Sequence, residues 1–409
     1  MNPFGRWDDK KTDYFSLMAP QKLMTLGSDK LLSSDRLNGR SVGVVCNAAS
    51  VDSELHHIVD RVAADSDLTL TALFGPQHGF HSVEQDNMIE TAHAKHPIYG
   101  IPVYSLYGDT REPTAQMLQG LDVLIIDLQD VGTRVYTYAY TLANCLRAAS
   151  RHGVAVVVCD RPNPIGGLVI EGPTLETGLQ SFVGQFPIPL RHAMTIGELA
   201  HLFNTHYGIG AELDVIPMSG WTRDGYYEDT GLTWVMPSPN LPTIDSAVVY
   251  PGCVLFEGTN VSEGRGTTRP FELIGAPWIH AKKLVDTLNA LQLSGVAFRP
   301  IQFQPTFQKH AGQVCSGCQI HVTDRNIFQS IKVSVALLQA LRQQNSDLFE
   351  WRKPPYEYEH VKLPIDILVG RSRFREQVEG NLSAHTIVES WASSLEEFKH
   401  VRRQFLLYE

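Results

Sequence analysis

Six apolar runs punctuate the first 220 residues: SVGVVCN at 41–47, LTLTALFG at 68–75, IPVYSLYG at 101–108, LDVLIIDLQD at 121–130, GVAVVVCDRP at 153–162 and LDVIPMSG at 213–220. The first, second, fourth and fifth are rich in Val, Ile and Leu without alternating with polar residues. That is the pattern of strands buried on both faces of a parallel sheet. Between the runs lie amphipathic stretches that predict helices at 51–64, 112–119, 136–151 and 195–207. The last opens on Thr195 with Glu198 three residues on, the spacing of a capping box. Strand alternating with helix predicts a doubly wound α/β domain over 22–225.

The pattern changes after that point. The stretch 234–279 is dense in Gly and Pro with short apolar pieces, and predicts long ordered loops around a few strands. Beyond it, helices near 281–293 and 327–343 and strands near 297–304 and 314–323 predict a smaller α+β domain over 226–409. At 409 residues the chain exceeds the usual size of one core, in keeping with two domains. The hydrophobic share of 43% is that of an ordinary globular protein.

A net charge of −10 without a long basic run argues against a nucleic-acid surface. No stretch of about 18 apolar residues encodes a spanning helix. The N-terminal MNPFGRWDDKKTDYF lacks the basic start and apolar core of a leader, so the chain as it stands reads as cytoplasmic; removal of a leader would make it periplasmic or secreted. Six cysteines in so long a chain do not form a disulfide scaffold. Cys46 and Cys159 fall in apolar runs and read as core residues. Cys315 and Cys318 make a lone CxxC, whereas zinc would want a second pair. His56-His57 reads as a solvated helix face.

Ligands of open α/β sheets bind outside the carboxyl ends of the strands. Here the strands exit into polar clusters: Asn47, Gln77-His78, Asp127 through Arg134, and Asp160-Arg161-Pro162-Asn163. Each alone suits a turn; together they favour a site. No GxGxxG follows the first strand, and GxxxxGK[ST], HExxH and GxSxG are absent, so the Rossmann-like sheet implies neither a dinucleotide nor any other cofactor. A second polar cluster, FEGTNVSEGRGTTRPFE at 256–272, carries Glu257, Asn260, Glu263, Arg265 and Arg269 among glycines that let backbone approach a ligand. The same acids and arginines suit a loop-stabilising ion pair equally well.

Several ordered segments carry a resemblance: GPQHGF, GIPVYSLYG, LDVLIIDLQDVGTRVYTYAYTL, DRPNPIGG, SFVGQFPIPLRHAMTIGELA, MPSPNLPT, YPGCVLFEGTNVSEGRGTTRPFELIGAPWI and LPIDILVG. From about residue 22 to about 370 the chain resembles the exo-β-N-acetylmuramidases, long a family of unknown function. The resemblance implies a Rossmann-like N-terminal domain joined to a smaller C-terminal one, with the site in the cleft between them. It also implies release of N-acetylmuramic acid from the non-reducing end of peptidoglycan fragments. One departure stands out. Where members read Pro-Glu-His-Gly, this chain reads Pro76-Gln77-His78-Gly79, and that Glu is the family's proposed catalytic carboxylate.

An amide cannot protonate a leaving oxygen. Three readings stay open: another acid takes over, a different bond is turned over, or the chain binds cell-wall sugar without cleaving it. The catalytic candidates are therefore Gln77 and His78, with Glu84, Glu257 and Glu263 as proton donors. The substrate-binding candidates are Asn47, Asp127, Asp130, Arg134, Tyr136, Asp160, Arg161, Asn163, Asn260 and Arg265. A lactyl carboxylate calls for an arginine fork, from Arg134, Arg161 or Arg265, the last being favoured. The expected partner is an amino sugar or muropeptide, and the scheme needs no metal.

Overall fold

Runs without alternation need cover on both faces, and the four Val/Ile/Leu-rich runs find it at the centre of one sheet. The protein is described by a computed structural model over residues 24–409, and the stretch used to argue about a leader lies outside them. The strands of the first half are β1 (Ser41–Cys46), β2 (Thr69–Gly75), β3 (Ala94–Lys95), β4 (Pro102–Ser105), β5 (Val123–Asp127), β6 (Ala155–Cys159), β7 (Glu171–Thr174), β8 (Pro189–Arg191) and β9 (Leu213–Ile216). Seven of them form the sheet β3-β4-β2-β1-β5-β6-β9, while β7 and β8 pair separately. Every neighbour in the large sheet is parallel except the β3–β4 pair. The chain builds outward from β1 to β2 and β4, then returns to β5 on the other side. The carboxyl ends of β1, β2 and β5 thus meet at the switch point, where α/β sheets bind ligands.

Alternate residues of the central strands feed two cores. Val42, Val44, Leu73 and Ile125 pack with the helix Ile58–Ala64 on one face. Val45, Phe74, Leu124 and Ile126 pack with the helix Tyr138–His152 on the other. The second core runs on without interruption into the rest of the molecule, taking in Leu255, Ile274, Leu338 and Trp391. There β10 (Leu273–Ala276), β11 (Val296–Phe303) and β12 (Cys315–Val322) form an antiparallel sheet, β10-β12-β11, packed against the helix Ala281–Ala290, which in turn packs on the helix Ser330–Gln344. No helix among the described residues is long and apolar enough to cross a membrane.

The structure corrects several local expectations. The helix expected from 51 begins only at Ile58. Asp52 accepts from the N–H groups of Glu54 and His56 and folds the preceding residues into a turn. His57 is no solvated helix face: it caps the helix by accepting from Val59 N and meets Asn47 O through Nε2. The helix expected at 112–119 is a single turn, Ala115–Leu118, capped by Thr114. The Gly- and Pro-dense stretch hides a buried helix, Ile244–Cys253, apolar on nearly every side and with Pro251 in its last turn. The capping box holds, with reciprocal bonds between Thr195 and Glu198. Cys315 and Cys318 sit on β12, where odd spacing sends them to opposite faces and into different clusters.

Candidate active site

β2 ends at Gly75, where any Cβ would fall 2.7 Å from the Phe80 amide nitrogen, so the chain folds back immediately into the Gln77-His78-Gly79 turn. His78 adopts a left-handed backbone (φ +71°), rare for a residue with a side chain and typical of strained functional turns. Its Nδ1–H donates to Glu84 O (2.6 Å), which fixes the tautomer and leaves Nε2 as an acceptor. Burial, helped by the Arg265 charge, pushes the imidazole down to about 4, so it is neutral at ordinary pH. Gln77 accepts from Thr137 Oγ1 (2.6 Å), and this orients its amide nitrogen toward Glu357 Oε1 (3.2 Å).

Gln77, His78, Tyr136 and Thr137 from the first half face Glu257, Arg265, Tyr356 and Glu357 from the second across one partly open pocket, whose innermost space of about 30 Å³ has room for a water or two. Glu257 is saturated with donors: Arg265 Nη2 at 2.7 Å, Tyr356 OH at 2.5 Å and Asn87 Nδ2 at 3.2 Å. Burial opposes its charge, but the Arg265 charge and these bonds hold the carboxyl below its ordinary value. Glu357 is equally buried and accepts only neutral donors, Tyr107 OH (2.7 Å) and the Gln77 amide. Burial, with the negative Glu257 nearby, pushes it up to about 7. Its backbone is also left-handed, at φ +45°.

The remaining candidates are placed as follows. Glu263 stands behind the wall, receiving Lys309 Nζ (2.7 Å) and facing Arg265 Nε (3.4 Å). Glu84 contributes its carbonyl rather than its carboxylate. Asn47 lies beneath the pocket, bonded to Tyr138 OH and Pro237 O. Asp127 and Arg161 form a buried fork pair (2.5 and 2.8 Å). Asp130 accepts from Gly132 N and faces His192. Asp160 accepts from Thr195, Gly197 and Tyr408. Arg134 spends its guanidinium on the carbonyls of Pro173, Ile188 and Leu368. Asn163 bonds Met194 O and Ile165 N, while Asn260 bonds Leu348 O and Glu350 N on an outer loop. Arg269 pairs with Glu272.

None of these strand-exit residues reaches the pocket except Gln77 and His78, for a common reason: a buried polar group needs partners, and these find them in adjacent turns. The glycines of the second cluster serve the protein itself. A Cβ on Gly266 would meet Phe307 N at 2.8 Å, so glycine is required where two loops touch. Among the described residues no group of three or more His, Cys, Asp or Glu is arranged to hold a metal.

Both halves of the chain match a known family. The sequence profile of the exo-β-N-acetylmuramidase NamZ N-terminal domain matches residues 42–245, and that of the C-terminal domain matches 248–408. The chain belongs to the exo-β-N-acetylmuramidase family. It is 45% identical over 385 residues, 93% of this chain and 91% of the other, to the peptidoglycan β-N-acetylmuramidase NamZ of Bacillus subtilis (strain 168). Two crystal structures of DUF1343 family proteins from Bacteroides fragilis share the fold. One has TM-score 0.85 at 34% identity, covering 95% of this chain and all of that one; the other has 0.72 at 26%, covering 94% and 99%.

Sequence reasoning missed Glu357, Tyr356, Tyr107, Asn87 and Thr137. Glu357 lies 280 residues from Gln77, outside any strand of the large sheet, so the switch-point rule does not reach it. A usable signal was present in PPYEYE at 354–359: acids interleaved with aromatics in a stretch with no helical or strand period.

Proposed function

We propose that this chain is a glycosidase that releases N-acetylmuramic acid from the non-reducing end of peptidoglycan fragments, with Glu357 supplying the proton that Gln77 cannot. The observation that carries this reading is the contrast between two buried carboxyls in one pocket, Glu357 held near neutrality and Glu257 held ionised. Pairs whose surroundings push their pKa values apart divide the acid and base roles between them.

Glu357 gives its proton to the glycosidic oxygen as the bond from C1 to that oxygen breaks. Glu257, charged and fixed by Arg265, Tyr356 and Asn87, stabilises the positive charge that develops at C1. Water delivers hydroxyl to C1, and its proton passes to the free Nε2 of neutral His78. Arg265 keeps Nη1 without a hydrogen-bond partner although buried, a donor that a lactyl carboxylate would satisfy. Gln77 holds Glu357 in place through its amide and is a positioning residue.

The test is hydrolysis of a β-linked muramic-acid glycoside with a poor leaving group. Robust turnover by wild type, lost in Glu357→Gln, is expected. Turnover that survives Glu357→Gln removes the assignment. Gln77 favours one rival, a sugar-binding protein without chemistry. Tight binding of N-acetylmuramic acid with no cleavage at any pH would establish it.

A further inference from the structure

Glu357 stands on a turn that the backbone does not favour. Glu357 and Tyr358 are both left-handed, at φ +45° and +65°, and neither is a glycine. Two such residues in succession persist only where their surroundings over-determine them. Within the turn, Tyr356 and Glu359 exchange backbone N–H···O bonds of 2.9 Å each. The Glu357 N–H points to Met88 Sδ (3.2 Å), a weak acceptor. A firmer tie to the first half of the chain is made by the next side chain along, Tyr358.

The tie is an aromatic clasp with a cation in it. The Tyr358 ring meets Tyr107 edge-on, with centroids 5.6 Å apart, and Phe182 likewise at 6.4 Å. The guanidinium carbon of Arg111 stands 3.2 Å from the Tyr358 centroid, 5.7 Å from that of Tyr107 and 5.8 Å from that of Phe182. A cation over a ring face is attracted by the ring quadrupole, more strongly where water is displaced. Arg111 is itself fixed, since its carbonyl accepts from Asn144 Nδ2 (3.0 Å) on the helix Tyr138–His152. Its contact with Glu90 is long, at 3.4 Å, and half-exposed on the Glu90 side, so an ion pair contributes little there. Its Nε is buried without a hydrogen-bond partner, as expected of a group committed to the rings. Tyr107 joins the clasp to the acid: its ring lies in the clasp and its OH donates to Glu357.

We propose that Arg111 is a positioning residue for proton transfer: by clamping Tyr358 against Tyr107 and Phe182, it holds the strained turn closed and keeps the Glu357 carboxyl inside the pocket, away from water. This rests on the reading of Glu357 as the acid. Arg111 acts through Tyr358, which follows Glu357 directly, so ring and carboxyl do not move independently. Charge and position predict opposite signs. Loss of a nearby cation raises a carboxyl's pKa, whereas release of the turn to water lowers it toward the ordinary value of about 4.3. The other titratable groups around Glu357 are His78, Tyr107, Glu257, Arg265 and Tyr356, with Tyr136 and Tyr250 across the pocket, and all of them stay in place in the variants below.

The test is a titration of the Glu357 carboxyl by carbon-13 NMR, on the full chain labelled at its glutamate carboxyls, with the signal identified by its loss in Glu357→Gln. It needs no turnover, so it stands apart from the hydrolase test. Wild type should titrate near 7. Arg111→Ala should move the midpoint down by about one pH unit or more, toward the ordinary carboxylate range. Arg111→Lys keeps a cation over the ring and should fall between the two. Tyr358→Leu removes the ring without removing a charge, and should reproduce the alanine change. On a poor-leaving-group glycoside, Arg111→Ala should lower kcat at pH 7 by about 10²-fold, the scale of a misplacement of about 1 Å, and the alkaline limb should move down with the NMR midpoint. A midpoint that stays or rises in Arg111→Ala overturns the proposal; should that variant not fold, the same sign in Arg111→Lys and Tyr358→Leu decides. Wild-type turnover failing while the midpoint falls in the variants would remove only the hydrolase reading.

Discussion

Glu257 and Glu357 face one pocket, both almost wholly buried, and their surroundings push them in opposite directions. Burial alone would keep either one protonated. Glu257 escapes because one guanidinium N–H of Arg265, a phenol and an amide converge on it. Glu357 does not, because its partners are a phenol and an amide without a cation in contact. The comparison teaches that depth is not what assigns chemistry to a carboxyl here. A single cation does, placed by a loop whose glycines permit its path.

Removing the acid itself breaks the comparison hardest. Glu357→Gln should lower kcat on a poor-leaving-group muramic-acid glycoside by about 10²–10⁴-fold, the usual worth of general acid–base catalysis. A nitrophenyl leaving group needs less protonation, so steady-state rates on it should fall less. Removing the cation makes Glu257 resemble Glu357. Arg265→Met strands a buried carboxylate and should destabilise by about 3–5 kcal/mol, read as a lower urea midpoint at pH 7.

Proton linkage sharpens the contrast. With Glu357 as the proposed acid, kcat should fall as pH rises through about 7. Its raised value has the corresponding sign for stability: the contribution is full below the ordinary carboxylate range and lost as pH rises toward 7. Glu257, held low, contributes at neutral pH and loses that contribution as pH falls through its lowered value. Gln77→Glu would set a second carboxyl against Glu357, and the two would share a proton. The alkaline limb of the kcat profile should then move upward; an unmoved limb would detach Gln77 from the acid. The smallest effect is expected from Tyr107→Phe, which removes one hydrogen bond, about 0.5–1.5 kcal/mol. Because that bond lowers the Glu357 value, its loss should shift the same limb slightly to higher pH.

The sheet was legible because burial on both faces writes itself into composition: β1, β2, β5 and β6 fall within their apolar runs. The helix Ile244–Cys253 was not, because an element apolar all round has no periodic stripe and Pro251 reads as a breaker. At the site, Gln77, His78, Glu257 and Arg265 were reached by the strand-exit rule and by a loop rich in charge among glycines. Asp127, Arg161, Asp160 and Arg134 met the same criteria and turned inward. Sequence shows that a polar residue follows a strand, but not whether its partner is a ligand or a neighbouring carbonyl. Glu357 needed the third dimension, since nothing local links PPYEYE to the end of β2.

The bond from Gln77 to Glu357 spans 280 positions, that from Asn87 to Glu257 spans 170, and Tyr408 reaches back 248 to Asp160. A nascent chain therefore carries its glutamine turn for most of synthesis with no acid beside it. Domains generally fold as units from the N-terminus as they emerge, so the large sheet has time to form before the ribosome delivers PPYEYE, and the tail that bonds Asp160 comes later still. No shortened product of translation or proteolysis ending before residue 354 holds both carboxyls. Until residue 357 has been made, the glutamine turn at the end of β2 stands without the acid it holds in the folded chain.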